Sequence, residues 1–198
     1  MSFDKVIQFE NKISKFFGSK YAVATDSCTH AIELCIRLKK IKKIIVPKRT
    51  YASIPMLAKK LNLKLAFDDI HWNDYYYLRD TNIIDAAVLW KKNSYISGTL
   101  MCLSFQYQKH LNLGRGGMIL LDNSYEYKSL VRMSYDGRER GIPWRNQNIK
   151  SIGYHYYLTP EAAEMGLKIF EKVKNKKPKQ WTSLDYPDLS KFKFVKLI

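Results

Sequence analysis

Apolar residues recur at helical spacing in five stretches of the chain, and shorter apolar runs lie between these stretches. In the first stretch, Val6, Phe9 and Ile13 fall on one face of a helix. We expect Asp4 to cap this helix and Gly18 to end it. The other helices that the spacing predicts cover residues 31–38, 52–61, 124–134 and 160–174.

The shorter apolar runs are typical of strands buried in a sheet. They cover residues 21–24, 44–46, 63–67, 83–89, 100–105 and 118–121. In the first half of the chain strands alternate with helices, an order that favours parallel pairing with helices on both faces of the sheet. The pattern therefore predicts an α/β domain with three α/β/α layers and a mostly parallel sheet.

The length of 198 residues is enough for one ordinary domain with a short appendage. From Lys172 onward the composition changes to lysine, proline, aspartate and isolated aromatic residues. We therefore expect residues 1–175 to form the α/β domain. Residues 176–198 are expected to form a C-terminal tail or strap rather than a second domain.

The composition argues against several classes of protein. Apolar residues make up 46% of the chain, and no apolar run approaches the roughly 20 residues of a membrane span. The segment Met1–Lys5 lacks the apolar core of a secretory signal. Cys28, Cys35 and Cys102 are too few and too scattered for a disulfide framework or a closed zinc site. We expect a soluble cytoplasmic protein without a metal centre.

The chain is strongly basic, with 34 Lys and Arg against 18 Asp and Glu and a net charge of +16. This excess favours acidic partners, which include nucleic acid, an anionic membrane surface and a phosphate-bearing small molecule. Lysine is spread along the chain, and only residues 172–179 form a dense tract. That tract is more typical of a solvated tail than of a nucleic-acid-binding arm.

In open α/β sheets, ligands bind at the carboxyl ends of the strands. Four segments in or after the predicted strands carry residues that could bind a ligand or take part in catalysis. The Thr-Asp-Ser-Cys-Thr segment at residues 25–29 leads into a helix, so it either caps that helix or holds a phosphate on its amides. Asp85 interrupts an apolar run and needs a partner if it is buried. Ser104 and Lys109 follow another strand. The glycine cluster at residues 114–117 indicates a tight turn or part of a site.

The segments around Asp85 and Lys109 also follow one another in an order that is found in a known protein family. Residues 104–117 read SFQYQKHLNLGRGG, and residues 83–87 upstream read IIDAA. The first is similar to the signature Ser-Phe-x-x-x-Lys-x-Leu-x-x-Gly-x-Gly-Gly around the cofactor lysine of the DegT/StrS family of sugar aminotransferases. The second resembles the strand of that family whose aspartate meets the pyridine nitrogen of the cofactor. Further likenesses in the same order lie at residues 9–29, 46–53 and 153–163.

This resemblance implies a shortened form of the large domain of fold-type I pyridoxal-phosphate transferases, with pyridoxal 5′-phosphate as the cofactor. Lys109 would form an imine (Schiff base) with the cofactor aldehyde and then act as the base, while Asp85 would keep the pyridine nitrogen protonated. Tyr51 would stack on the ring. The residues implied to hold the phosphate are Cys28, Thr29, Ser104 and, reaching into a neighbouring subunit of a homodimer, His155.

Three hypotheses of function follow. The leading one is an aminotransferase that moves an amino group from an amino acid to a keto sugar, nucleotide-linked, as in polysaccharide biosynthesis. The second is a degenerate family member that binds the cofactor or an anionic sugar without turnover. Val88 favours it, because the family usually has a glutamine there. The C-terminal segment also favours it, because family members usually have a small C-terminal domain that helps to close the substrate site, and residues 176–198 could be no more than a remnant of that domain. The third is a basic nucleic-acid-binding protein.

Overall fold

The computed structural model describes residues 3–197, so Met1, Ser2 and Ile198 of the predicted terminal segments lie outside the described residues. Within this range helices α1 to α5 cover Asp4–Phe17, Cys28–Leu38, Ser53–Lys60, Ser124–Ser134 and Pro160–Val173. Strands β1 to β7 cover Tyr21–Thr25, Lys43–Pro47, Lys64–Asp68, Tyr76–Tyr77, Ile83–Asp85, Leu100–Ser104 and Gly117–Leu121. Short 3-10 turns cover Trp144–Asn146, Ser183–Asp185, Leu189–Lys191 and Lys193–Leu197.

The main sheet has the strand order β1-β7-β6-β5-β4, and β2 and β3 form a separate parallel pair. β5 and β6 are parallel, whereas β7 runs antiparallel to both of its neighbours and β4 runs antiparallel to β5. Strands β1, β5 and β6 therefore share one direction, against β4 and β7. The sheet is mixed in its pairings rather than mostly parallel, because β7 lies between two strands of the opposite direction.

Apolar side chains on the two faces of the sheet form two separate cores. On one face Val23, Cys102 and Ile119 pack with helices α2, α3 and α4. The other face carries their chain neighbours, including Ala22 and Met101, which pack with α1 and α5. Successive side chains of a strand point to opposite faces, so each strand contributes to both cores. The predicted α/β class with three layers is confirmed.

Most predicted boundaries hold within one or two residues, although α2 begins at Cys28, three residues before the predicted start at residue 31. Three further features of the fold differ from the expectations. Gly18 ends α1 in a left-handed conformation with φ 87°, as expected, whereas Asp4 lies in the first turn and Phe3 occupies the cap position. The strand expected over residues 83–89 ends at Asp85, since the Asp85 carboxylate accepts the Ala87 amide and the chain turns there. The two-residue strand β4 was not predicted.

In residues 3–197 no helix is both long and apolar enough to span a membrane. The division of the chain near residue 175 stays a prediction.

Candidate active site

A cavity of about 450 Å³ lies where the carboxyl ends of β1, β2, β5 and β6 meet the loops that follow them. This is the position at which open α/β sheets bind ligands. Six of the seven residues that the sequence singled out line this cavity: Cys28, Thr29, Tyr51, Asp85, Ser104 and Lys109. The fold thus brings together residues as far apart in the chain as Cys28 and Lys109.

Asp85 is a buried carboxylate at the end of β5. Tyr76, opposite it on β4, donates a hydrogen bond from its hydroxyl to Asp85 Oδ2 at 2.7 Å. The Ala87 amide donates to Oδ1 at 3.0 Å. Burial raises the pKa of Asp85, while these two hydrogen bonds and the charge of Lys109 act in the opposite direction. The partner that a buried aspartate requires is therefore Tyr76.

Lys109 follows β6 and is half-buried. Burial lowers the pKa of Lys109, because desolvation disfavours the ammonium form, while the charge of Asp85 opposes that shift. The Lys109 Nζ lies 5.1 Å from the centre of the Trp181 ring. A half-buried amine whose pKa is lowered is suited to act as a nucleophile or a base.

The start of α2 forms another wall of the cavity. The Ser27 hydroxyl caps the helix by accepting the His30 amide at 3.2 Å, and the hydroxyls of Thr29 and Ser53 are 2.7 Å apart. The amides of Cys28 and Thr29 lie in the first turn, where a helix offers no acceptor of its own. Such a turn binds anions, so the phosphate expectation keeps a physical basis even though a serine cap is also present.

Gly117, the first residue of β7, lies directly against this helix start. A Cβ atom at position 117 would come within 2.4 Å of the Ser27 carbonyl carbon and 2.5 Å of the Cys28 nitrogen. Only glycine allows this approach of two backbones. One glycine of the predicted cluster therefore has a steric role that fixes the edge of the cavity.

Residues 181–189, which we call the C-terminal cover, close one side of the cavity. Five of them line it: Trp181, Asp185, Tyr186, Pro187 and Leu189. Backbone hydrogen bonds fix the cover at both ends, from the Ser183 amide to the Trp72 carbonyl at 2.9 Å and from the Leu189 amide to the Lys48 carbonyl at 2.9 Å. Between them the Arg49 guanidinium donates to the Tyr186 carbonyl at 2.8 Å.

His155 does not line the cavity of its own chain. Its side chain is 72% exposed, and its Nδ1 lies 3.0 Å from Asp136 Oδ2. The expectation that it reaches the site of a neighbouring subunit stays a prediction.

The sequence did not indicate Thr50, Tyr76 or the individual residues of the C-terminal cover as site residues. Tyr76 stands in a run of three tyrosines at positions 75–77, and only the pairing of β4 with β5 selects the one that meets Asp85. The isolated aromatic residues of the tail were a usable signal, because Trp181 and Tyr186 are two of them.

Comparisons with known proteins agree with this fold. The model of the DegT/DnrJ/EryC1/StrS aminotransferase family matches residues 1–94 and 91–184. No curated protein sequence matches the chain. Among solved structures, AtS13 from Actinomadura melliaura is similar with a TM-score of 0.75 and 17% identity, over 87% of this chain and 61% of that one.

Two further structures are similar at the level of the fold. The sugar aminotransferase CalS13 from Micromonospora echinospora has a TM-score of 0.72 and 14% identity, over 86% of this chain and 61% of that one. DesI, solved in the presence of its TDP-sugar product, has a TM-score of 0.67 and 18% identity, over 85% of this chain and 53% of that one. This chain thus spans 53–61% of the length of the three structures.

The family match covers most of the chain, and the order of the site residues that suggested the family agrees with it. The cofactor that this membership implies is pyridoxal phosphate. The chain belongs to the DegT/DnrJ/EryC1/StrS aminotransferase family.

Proposed function

We propose that the chain is an aminotransferase that uses pyridoxal phosphate to transfer an amino group from an amino acid to a nucleotide-linked keto sugar. The observation that carries this proposal is that buried Asp85 and half-buried Lys109 line one cavity at the ends of the adjacent strands β5 and β6. We further propose that it works in the cytoplasm, where its three free thiols would stay reduced.

The residues that line the cavity fit pyridoxal phosphate. The group carries a phosphate, a ring nitrogen and an aldehyde, and the cavity offers a helix start, a carboxylate and an amine respectively. Tyr51, which is among the residues that line the cavity, would supply an aromatic face. When bound, pyridoxal phosphate would supply an electrophilic aldehyde and a protonated ring that withdraws electrons.

Within this proposal each residue has a distinct task. Lys109 would hold the aldehyde carbon covalently through its amine, and once released by an incoming amino donor it would act as the base that moves a proton. Asp85 would hold a proton on the ring nitrogen, since a carboxylate in hydrogen-bond reach favours the charged ring. The amides of Cys28 and Thr29, with the hydroxyls of Thr29 and Ser104, hold the phosphate.

The choice of an anionic sugar substrate rests on two observations. The chain has a net charge of +16, which attracts anionic ligands. A structurally similar protein, DesI, was solved with a TDP-sugar as its product. Both support a nucleotide-linked substrate for this chain.

Absorbance spectra of the purified protein with pyridoxal phosphate test the proposal. We expect a band near the edge of the visible range that shifts when an active member of a panel of L-amino acids is added. A band that no amino acid shifts would favour the second hypothesis, binding without turnover. The contact of Trp181 with Lys109 is the feature that favours that alternative, because it crowds the amine. The absence of any band contradicts the proposal and favours the third hypothesis, a basic nucleic-acid-binding protein.

We also propose a homodimer whose cofactor site is completed by His155 of the neighbouring chain. Tyr154 and Tyr156 stack on one another within the chain, at 5.4 Å, whereas His155 points away from them and is exposed. In the segment that precedes His155 in the chain, Trp144 and Ile152 are 66% and 79% exposed. Large apolar side chains at a surface are typical of an interface with another protein.

Light scattering tests the dimer, and we expect a mass of twice the 23.3 kDa of one chain. His155→Ala should weaken binding of pyridoxal phosphate without changing the circular dichroism spectrum. Mixing His155→Ala with Lys109→Ala chains should restore one intact site in each mixed dimer, since every site uses both chains. A mass of one chain at saturating cofactor would rule the arrangement out.

A further inference from the structure

A chain of three buried hydrogen-bonding side chains ends on Asp85. The Tyr76 hydroxyl donates to Asp85 Oδ2 at 2.7 Å, and the Thr50 and Tyr76 hydroxyl oxygens are 2.5 Å apart. A phenol has one proton, and Tyr76 gives it to the carboxylate, so the Thr50 hydroxyl donates to Tyr76. All three side chains are buried, with Thr50 1% exposed and both Tyr76 and Asp85 5% exposed.

The sheet register fixes this arrangement. Tyr76 pairs with Asp85, and Asp85 pairs with Cys102, in a row across β4, β5 and β6. Residues directly opposite in a sheet point to the same face, so Tyr76 stands beside the carboxylate. The Ala87 amide holds the other carboxylate oxygen at 3.0 Å. Each oxygen thus has one fixed donor, and each keeps a lone pair for a further partner.

We infer that Tyr76 is a positioning residue, which uses its hydrogen bond to Oδ2, supported by Thr50, to keep the Asp85 carboxylate ionised and fixed at the cavity wall. The role of Asp85 toward a ring nitrogen rests on the proposed function, whereas the action of Tyr76 on Asp85 does not. A hydrogen bond given to the charged form of an acid stabilises that form. A protonated Asp85 could not hold a proton on a bound ring, because its own proton would compete.

The electrostatic surroundings explain why a positioning residue is needed. The titratable groups that face Asp85 are Cys28 from α2, Tyr76 from β4, Cys102 from β6, Lys109 from the loop after β6 and Tyr186 from the C-terminal cover. Burial raises the pKa of Asp85, and Lys109 is the cation among these groups. Burial also raises the pKa of Tyr76, so its phenol stays protonated and remains a donor.

Titration of the protein without cofactor tests the inference directly. The pKa of Asp85 would be followed by carbon NMR of labelled aspartate carboxyl groups, with the signal assigned by its loss in Asp85→Asn. Tyr76→Phe, which keeps the ring and removes the hydroxyl, should raise the pKa of Asp85. Tyr77→Phe is the matched control, because Tyr77 is the next residue of β4 and its side chain is 39% exposed. It should leave the pKa unchanged.

Binding of pyridoxal phosphate supplies the second readout. Loss of the hydroxyl should weaken binding about 2- to 12-fold, the effect of one ordinary hydrogen bond.

An unchanged Asp85 pKa in a folded Tyr76→Phe variant overturns the inference, whatever the effect on cofactor binding. If Tyr76→Phe does not fold, Thr50→Val decides, since it removes the donor to Tyr76 and should raise the pKa in the same direction. If the pKa rises but the wild type binds no pyridoxal phosphate, the proposed function fails while the action of Tyr76 on Asp85 stands.

Discussion

The Lys109→Ala variant is expected to lose all covalent attachment of pyridoxal phosphate and all aminotransferase activity. Among the described residues Lys109 is the lysine that lines the main cavity, and an alanine methyl group cannot attack an aldehyde. Borohydride reduction followed by peptide mass spectrometry should place the label on Lys109 in the wild type. The variant should carry no label.

The rate of attachment should also depend on pH in a way that reflects the burial of Lys109. Burial lowers the pKa of Lys109, and only the neutral amine attacks. The half-maximal rate should therefore occur below the pH at which an exposed lysine loses its proton. Stopped-flow absorbance of the protein mixed with pyridoxal phosphate measures this midpoint.

Lys179→Ala is the matched control for the site of labelling, and it also tests the pH midpoint by removing a neighbouring charge. The Lys179 Nζ lies 3.7 Å from the centre of the same Trp181 ring that Lys109 approaches, so the two ammonium groups share one aromatic neighbour. The control should keep the label on Lys109. Its attachment midpoint should move to higher pH, because the charge of Lys179 lowers the pKa of Lys109. Label on another lysine in the wild type would show that Lys109 is the wrong assignment.

Asp85→Asn should keep the fold and lose most of the affinity for pyridoxal phosphate. The amide oxygen can still accept from Ala87, and the Tyr76 hydroxyl can turn to accept from the new NH₂ group while it donates to Thr50. The amide cannot hold a proton on the ring nitrogen. Loss of one charge-assisted hydrogen bond costs about 1.5–3 kcal/mol of binding free energy, which raises the dissociation constant roughly 10- to 150-fold. Equilibrium dialysis and thermal unfolding measure the two effects.

Asp74→Asn provides the comparison for Asp85→Asn. Asp74 also lines the cavity, and its φ of 63° is one that asparagine adopts readily. It carries the same negative charge as Asp85, whereas the hydrogen bonds from Tyr76 and Ala87 go to Asp85. The control should bind pyridoxal phosphate nearly as the wild type does. Equal losses in both variants would mean that general negative charge, and not the position of Asp85, controls binding.

Local rules were enough to predict most of the fold. Gly18 could be recognised as a helix end because a left-handed residue is required there, and Pro55 falls in the first turn of α3, where its missing N–H costs little. The end of β5 could not be found in this way. The apolar run continues to Leu89, whereas the chain turns after Asp85 through a bond between a side chain and the backbone.

The site was partly predictable for a similar reason. Asp85 stands out because it interrupts an apolar run, and Lys109 stands out because residues 104–117 around it resemble the family signature. Strand ends converge in this class of fold. Thr50 and Tyr76 do not stand out, since their roles depend on the pairing of β4 with β5 and on the path of the loop after β2. A strand of only two residues leaves almost no periodic signal in the sequence.

The C-terminal cover belongs to the same polypeptide as the cavity that it closes, so its closure is a unimolecular event. Its effective concentration at the cavity is set by the short connection from α5 and not by the amount of protein in solution. A contact supplied by a second chain disappears when a dimer is diluted, whereas the wall made by Trp181, Tyr186 and Leu189 does not. On dilution, a ligand bound in the cavity should therefore keep the part of its affinity that comes from the C-terminal cover and lose the part that comes from a second chain.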